Sequence, residues 1–522
     1  RYSITGFTVK LLPLGIQTFS DIINGGYLYI DKTGYIPDLV TTHRYAFLSR
    51  PRRFGKSLFL STLHEFFSGN RELFKGLALY DHADWQKYPV LHLDLSDMST
   101  NGFEAFRKSL LRTISSIYEE HGLTPDTDDV ADLFSTLIAG LSKKHDKRVV
   151  ILIDEYDKPI TDNIDQPETA LLIRDLLRSF FGRMKGNDRH IRFALMTGVS
   201  KFAKVSLFSG LNQISDISLD PRYSTLLGYT QDDLESSFSE RIPELAQTID
   251  MPKDALLSEI RSWYNGYSWD GKVSLYNPYS ILSLFNLGRF ENFWYQTGSP
   301  SFLYNALKTQ NYTPEDLEGL RVESAVLDNI EISELNTAAL FFQTGYLSIK
   351  EIEYDGVTPL YRLGYPNREV KQSFFRSLFI ELLDLKTVSV MSAASAIRDS
   401  LRNGKTGKFE TILQSLFARI PSILYIEEER YFHSLFMMTM YLCGIESSAE
   451  VSTNVGRIDG VLEFDDLLYI IEFKYSQPPE KGLDQILRKK YYERFLNSGK
   501  RIVLLGVGIT RDTVKIASIE IK

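Results

Sequence analysis

The sequence predicts an α/β protein with an N-terminal parallel sheet flanked by helices, a mostly helical middle and a C-terminal α/β unit. Three observations predict it. Over roughly the first 220 residues, short apolar runs alternate with helical stretches, the pattern of a parallel sheet. The runs are apolar on both faces, as in a sheet covered on both sides. The last hundred residues change again, to the order α-β-β-α-β.

The elements follow in order. Strands are expected at 45–49, 90–95, 149–154, 191–197 and 213–219, with helices such as 56–67 and 103–121 between them. Residues near 222–420 read as helical. Tyr264-Asn265-Gly266-Tyr267 and Tyr276-Asn277-Pro278-Tyr279 supply turn chemistry there. A helix at 428–442 then leads to strands at 457–464 and 467–475, a helix at 483–496 and a strand at 501–507. A boundary falls around Arg402-Asn403-Gly404-Lys405. The expected domains are 1–222, 223–405 and 406–522.

The totals exclude several classes. A chain of 522 residues is too long for one ordinary core. A net charge of −8 excludes a wholly basic nucleic-acid coat, so any nucleic-acid site must be local. The single cysteine, Cys443, excludes an intramolecular disulfide framework and a Cys-rich zinc site. No apolar run approaches the roughly 18 residues a membrane span needs. With no secretion signal at the start, the expectation is a cytoplasmic protein.

Residues 50–57 read Arg-Pro-Arg-Arg-Phe-Gly-Lys-Ser. Gly55, Lys56 and Ser57 match the end of the phosphate-binding loop G-x-x-x-x-G-K-[ST], and Arg50 stands where the first glycine belongs. Backbone amides from Arg52 through Phe54 to Gly55 and the helix N-terminus would hold phosphates. Lys56 would reach the β- and γ-phosphates and Ser57 would ligate Mg²⁺. Arg52 and Arg53 add positive charge. A basic strand–helix turn is the plain alternative. The apolar run 149–153 weakens it by ending in Asp154-Glu155. There Asp154 would hold the Mg²⁺ water shell and Glu155 would polarise the attacking water. Thr197 ends the next strand, placed to sense the γ-phosphate or simply to close a strand. Arg222 is one of many arginines for a finger, and a surface role is the favoured reading.

The C-terminal pattern is sharper. If Asp465-Asp466 is a two-residue hairpin turn, Phe464 faces Leu467. Counting outward then sets Asp459 opposite Glu472, on one face with Lys474. Three charges at one end of an apolar hairpin need pairing. Either they form a salt-bridged strand pair, or Asp459, Glu472 and the Phe473 carbonyl ligate Mg²⁺ or Mn²⁺. Lys474 would then orient or deprotonate the attacking water. Glu429, sharing a helix face with His433, could add a carboxylate to the metal. Gln485 begins the next helix, with Tyr492 two turns on along the same face. From Lys474 to Arg501 there are eight Lys/Arg against three Asp/Glu. This local basic strip, including Arg488 and Lys489, suits a phosphate backbone or merely a solvated helix face.

At these residues the chain resembles a bacterial family of AAA-ATPase-like proteins whose C-terminus is a PD-(D/E)XK nuclease-superfamily domain. The resemblance rests on Arg50–Ser57, in which Arg50 is the family form, and on segments before and after it. Tyr29-Ile30-Asp31-Lys32-Thr33 precedes the loop, and Thr197-Gly198-Val199-Ser200-Lys201-Phe202 follows the sensor strand. Trp263-Tyr264-Asn265-Gly266-Tyr267, Gln343-Thr344-Gly345-Tyr346-Leu347 and Tyr365-Pro366-Asn367 mark the middle. Gly456-Arg457-Ile458-Asp459 and Glu472-Phe473-Lys474 close it. The resemblance implies a P-loop NTPase sheet of the ASCE type and a restriction-endonuclease-like C-terminal fold.

The function expected from these readings is an ATP-binding, ATP-hydrolysing enzyme with a Mg²⁺- or Mn²⁺-dependent nuclease domain, acting on DNA in defence against, or processing of, foreign DNA. Two alternatives stay open: a nucleotide-controlled module that binds nucleic acid without cutting, and an RNA-directed nuclease. The helical middle would serve a homo-oligomer or a protein partner.

Overall fold

The computed structural model describes residues 3–4, 7–8, 10–201, 204–211, 213–294, 307, 312–314, 316–328, 336–354, 358–383, 387–418, 429–453, 456–510 and 513–521. Within these, 3–4, 7–8, 205–206, 379, 381–383, 387–391, 429–431, 446–453 and 456 are described as backbone only. The chain divides into two compact units, 1–310 with 317–370, and 311–316 with 371–522.

The first unit is built on five parallel strands: β1 (Tyr45–Ser49), β2 (Val90–Asp94), β3 (Val149–Asp154), β4 (Ile191–Gly198) and β5 (Ser215–Asp216). Their order across the sheet is β2-β3-β4-β1-β5. β4 therefore separates the strand leading into the phosphate loop from the strand ending in Asp154. Every residue of β1 and β3 is buried, which the continuous apolar runs require. One face packs the helices Phe103–Glu120, Val130–His145 and Pro167–Gly186 through Leu110, Ile114, Phe134, Leu137, Leu177 and Phe180. Each such side chain contributes about 1.5–3 kcal/mol on burial. Asp129 caps Val130–His145, accepting from the Asp132 amide, and Lys143, Lys144 and His145 close the negative end of its dipole. The fifth strand is only two residues long, shorter than the expected 213–219.

After β5 the first unit is mostly helical, with helices at Gln231–Ser237, Arg241–Ile249, Lys253–Tyr264, Pro278–Leu287 and Thr337–Thr344. The sequence reading missed a three-stranded antiparallel sheet here: β6 (Arg321–Glu323), β7 (Ser348–Tyr354) and β8 (Pro359–Gly364), in the order β6-β8-β7. Its strands are half-exposed and carry the cross-strand pairs Arg321–Glu353 and Arg362–Glu351, so no apolar run marks them.

The second unit holds five strands in sequence order: β9 (Glu446–Thr453), β10 (Gly456–Glu463), β11 (Leu467–Tyr475), β12 (Arg501–Ile509) and β13 (Val514–Ile521). All neighbours are antiparallel except β11 and β12, which run parallel across the helix Glu480–Lys489. The expected α-β-β-α-β core is present, and β9 and β13 extend it at either edge. Cys443 is buried here, and that burial pushes its thiol up to about 12, so it is a packing residue and not a nucleophile. Among the described residues of the chain, no helix is long and apolar enough to cross a membrane.

Candidate functional sites

The first site lies at the C-terminal ends of the parallel strands. After β1 the chain turns through residues 50–55 into the helix Lys56–Phe67. Arg53 (φ 69°) and Gly55 (φ 90°) are both left-handed, a backbone shape that makes a concave nest of amides. Lys56 is buried, and its ammonium donates to the carbonyls of Arg50 (3.0 Å) and Pro51 (3.2 Å). It also lies 3.8 Å from the Glu155 carboxylate.

Glu155 leaves the tip of β3 at φ 50°, an uncommon backbone for a residue with a side chain. Burial raises its carboxyl pKa, opposed by the charges of Lys56 and, more weakly, Arg52. Asp154 is buried beside it, accepting from the Thr197 hydroxyl (2.5 Å) and the Glu155 amide (3.0 Å). Thr197 thus holds the acid in place from the adjacent strand β4, and is itself fully buried.

Arg50 explains how the loop dispenses with its first glycine. Its guanidinium is buried and donates to the carbonyls of Ser49 (2.9 Å), Ser218 (2.7 Å) and Tyr223 (3.4 Å). It also lies 4.5 Å over the Trp269 ring. The side chain is a strut between the start of the loop and the segments that follow β5.

The Phe54 ring does not face a nucleotide. It is buried against Tyr267 (4.8 Å) and Trp269 (5.4 Å), so only its backbone borders the loop. Arg222 is exposed, pairs with Asp220 at 2.7 Å and does not line the cleft.

The cleft has a volume of about 340 Å³ and is lined by Arg52, Arg53, Gly55, Lys56, Ser57 and Glu155. That is within the range of small-ligand sites. The rest of its lining escaped the sequence reading: Pro13, Gly15, Ile16 and Gln17 from the start of the chain, with Tyr229, Tyr279 and Leu282 from the helical part. The signal that could have found part of it is Asn277, read above as turn chemistry. Asn277 caps Pro278–Leu287 by accepting from the Tyr279 and Ser280 amides, while its own amide donates to the Arg52 carbonyl (3.3 Å).

The second site lies at one end of the β10–β11 hairpin. The expected register is observed from Glu463↔Leu468 to Gly460↔Ile471, with the Phe464 amide on the Leu467 carbonyl at 2.8 Å. One step further the regular ladder stops. There the Asp459 carboxylate accepts the Phe473 amide at 2.8 Å, taking the place of a backbone partner. Glu472 is 2 % exposed. Its Oε1 accepts from Lys474 Nζ at 3.2 Å and from the Gln485 side-chain amide. Lys474 also donates to the Phe473 carbonyl at 2.7 Å. Asp459, Glu472, Phe473, Lys474 and Gln485 are therefore one cluster.

His433 also reaches this cluster. Its Nε2 donates to the Asp459 carbonyl at 2.7 Å, and its ring stands 5.1 Å from Phe473. Glu429 begins the same helix, and its side chain lies outside the described residues.

Three glycines the sequence reading passed over let the helix Glu480–Lys489 reach this cluster. Glu472 and Lys474 pair across to Gly506 and Gly508 of β12. A Cβ at Gly506 would stand 1.9 Å from the Pro479 carbonyl, and one at Gly508 would stand 2.7 Å from that of Gln477. A Cβ at Gly482 would stand 2.7 Å from the Glu472 carbonyl.

The expected helix 483–496 is corrected: it runs from Glu480 to Lys489 with Gln485 in its middle, Lys490 turns left-handed (φ 53°), and residues Tyr491–Ser498 form 3-10 turns. Tyr492 therefore does not share a helix face with Gln485, and packs against the apolar cluster around Ile458 and Ile486. Arg488 and Lys489 are exposed at the helix end.

Comparison with known proteins identifies the families of the two domains that carry these sites. Residues 13–208 match the family described as predicted AAA-ATPase, and residues 427–519 match the PD-(D/E)XK nuclease superfamily. An uncharacterized protein in the vnfD 5′ region of Azotobacter chroococcum mcd 1 is 39 % identical over 513 residues, covering 97 % of each chain. The chain belongs to the family of AAA-ATPase-like proteins that carry a C-terminal PD-(D/E)XK nuclease-superfamily domain.

Proposed function

We propose that the protein binds and hydrolyses ATP in the cleft above Lys56 and cleaves DNA phosphodiester bonds, with a divalent metal, at the Asp459–Glu472–Lys474 cluster. The observation that carries the nuclease reading is the Lys474 ammonium itself. It sits on Glu472 Oε1 and the Phe473 carbonyl together, so two of the three oxygens assigned to a metal already converge on one positive charge. That donor set, with Asp459 beside it, is all hard oxygen and fits Mg²⁺ or Mn²⁺. When bound, the metal would supply positive charge at the scissile phosphate. Glu472 and Asp459 would hold it, and the Phe473 carbonyl would complete the set.

The chain's own residues do the rest. His433 and the Phe473 amide fix Asp459 from its carbonyl and carboxylate ends. Gln485 orients Glu472. Lys474 is held at the strand tip, where its protons can align water or offset negative charge on the phosphate. Exposed Arg488 and Lys489 would meet the nucleic-acid backbone.

In the first unit the residues fit a nucleoside triphosphate with Mg²⁺. Lys56 now satisfies its charge on carbonyls of its own loop, which phosphate oxygens would replace. Ser57 and Asp154 would hold Mg²⁺, which would neutralise phosphate charge. Glu155, whose pKa burial raises, is a stronger base than an exposed glutamate and is placed to take a proton from water.

A cleavage panel tests the reading: linear and circular duplex DNA, single-stranded DNA and RNA, with Mg²⁺ or Mn²⁺, with and without ATP, beside Lys56→Ala. Metal-dependent cutting of DNA, altered by ATP only when Lys56 is present, is expected. Cutting of RNA alone would reassign the substrate. Binding of nucleic acid with no cutting under any condition would replace the nuclease with a binding module.

A further inference from the structure

We propose that Arg52 supplies, from within the phosphate-binding loop, the positive charge that stabilises the terminal phosphate during hydrolysis, so that one chain completes its own ATPase site. This rests on the ATP-hydrolysis reading above.

The loop carries three arginines, and two are already engaged. Arg50 is buried on three carbonyls and over Trp269. Arg53 lies 4.5 Å over the Tyr279 ring. Arg52 differs. Among the described residues its guanidinium has no hydrogen-bond or ion-pair partner, and it lines the cleft with Lys56, Ser57 and Glu155. Its backbone is anchored by the Asn277 amide on its carbonyl at 3.3 Å, so the base of the side chain is fixed while the head is unengaged. Glu155, the acid that would take the water proton, lines the same cleft. The earlier candidate, Arg222, is tied to Asp220 and does not line the cleft.

The chemistry asks for this group. Water oxygen bonds to the γ-phosphorus and gives a proton to Glu155. The bond from that phosphorus to the bridging oxygen breaks, and its electron pair leaves with ADP. Negative charge shifts toward the bridging and outer oxygens, and a planar guanidinium with five N–H donors can bind two of them together.

The test is steady-state ATP hydrolysis and nucleotide binding by the full chain as wild type, Arg52→Ala, Arg52→Lys, Arg53→Ala and Lys56→Ala, with thermal melting of each. Arg52→Ala should lower kcat by about 10³-fold, the lower end for a phosphate-directed arginine. KM for ATP, affinity for ADP and the melting midpoint should stay unchanged. Arg52→Lys should recover part of the loss, and mixing Arg52→Ala with Lys56→Ala should restore nothing. Wild-type turnover by Arg52→Ala would overturn the proposal, as would recovery in the mixture, which would place the arginine in a neighbouring copy. Failure of the underlying reading looks different: no hydrolysis by wild type, or hydrolysis undiminished by Lys56→Ala.

Discussion

The Lys474 ammonium lies 3.2 Å from Glu472 Oε1, and both side chains rise from β11 beside glycines, Gly506 and Gly508, on the neighbouring strand. The glycines matter because Gln477, Pro479 and the first turn of the helix Glu480–Lys489 run where their side chains would be, which lets that helix bring Gln485 onto Glu472.

Gly506→Ala should therefore disable the site without touching a charged residue. Its Cβ would fall 1.9 Å from the Pro479 carbonyl and 2.9 Å from the Leu483 amide nitrogen, so the helix must move. Cleavage should fall by about 10²-fold, the cost of a displacement near 1 Å in an aligned site. Gly407→Ala, where an added Cβ meets nothing within 4 Å, should cut like wild type. Nuclease assays on the two variants check this.

Lys56→Ala and Glu155→Gln should separate binding from turnover. Loss of Lys56 should abolish nucleotide affinity, measured by calorimetry. Glu155→Gln should keep affinity and lose hydrolysis. Because burial raises the Glu155 pKa, the acidic fall of kcat in wild type should lie at higher pH than for an ordinary glutamate. A pH–rate profile reads this directly.

Arg50→Gly would restore the missing glycine of the loop pattern, yet it should harm the protein. It removes a buried side chain on three carbonyls and an aromatic ring. Stability should fall by about 3 kcal/mol or more, seen in urea or thermal unfolding.

Glu369 gives a pH dependence. It is fully buried, accepting from the Ser280 hydroxyl (2.8 Å) and the Trp294 amide (2.8 Å), and burial raises its pKa to about 7. The folded state thus holds this proton more tightly than the unfolded state. Its contribution to stability is fully present below the ordinary glutamate pKa and is lost as pH rises toward 7. Glu369→Gln should flatten that part of the stability–pH curve, measured by denaturant unfolding between pH 4.5 and 8.

Most of what positions the two sites was legible in the sequence, because it rests on periodicity and on short chemical spacing. The buried runs at 45–49 and 149–154 and the hairpin register around Asp465-Asp466 needed only apolar patterning and a turn rule. What escaped depends on contacts between distant segments. Pro13, Tyr229 and Tyr279 come together in the cleft lining only after folding. Gly482 and Gly506 matter through a helix packing that spacing does not reveal. The polar edge strand Glu446–Thr453 has too little apolar alternation to read as a strand, and it forms by pairing with β10. The helix break at Lys490 misled the reading because a left-handed lysine leaves no glycine or proline signal.

The most direct measurement is cleavage of end-labelled duplex DNA with Mg²⁺ by wild type, Asp459→Asn, Glu472→Gln and Lys474→Ala, each shown folded by its melting curve. The account predicts that wild type cuts, that chelation stops it, and that each substitution lowers the rate by about 10²-fold or more. Cutting that survives all three substitutions, or a well-folded wild type that cuts no DNA with Mg²⁺ or with Mn²⁺ in its place, would contradict it.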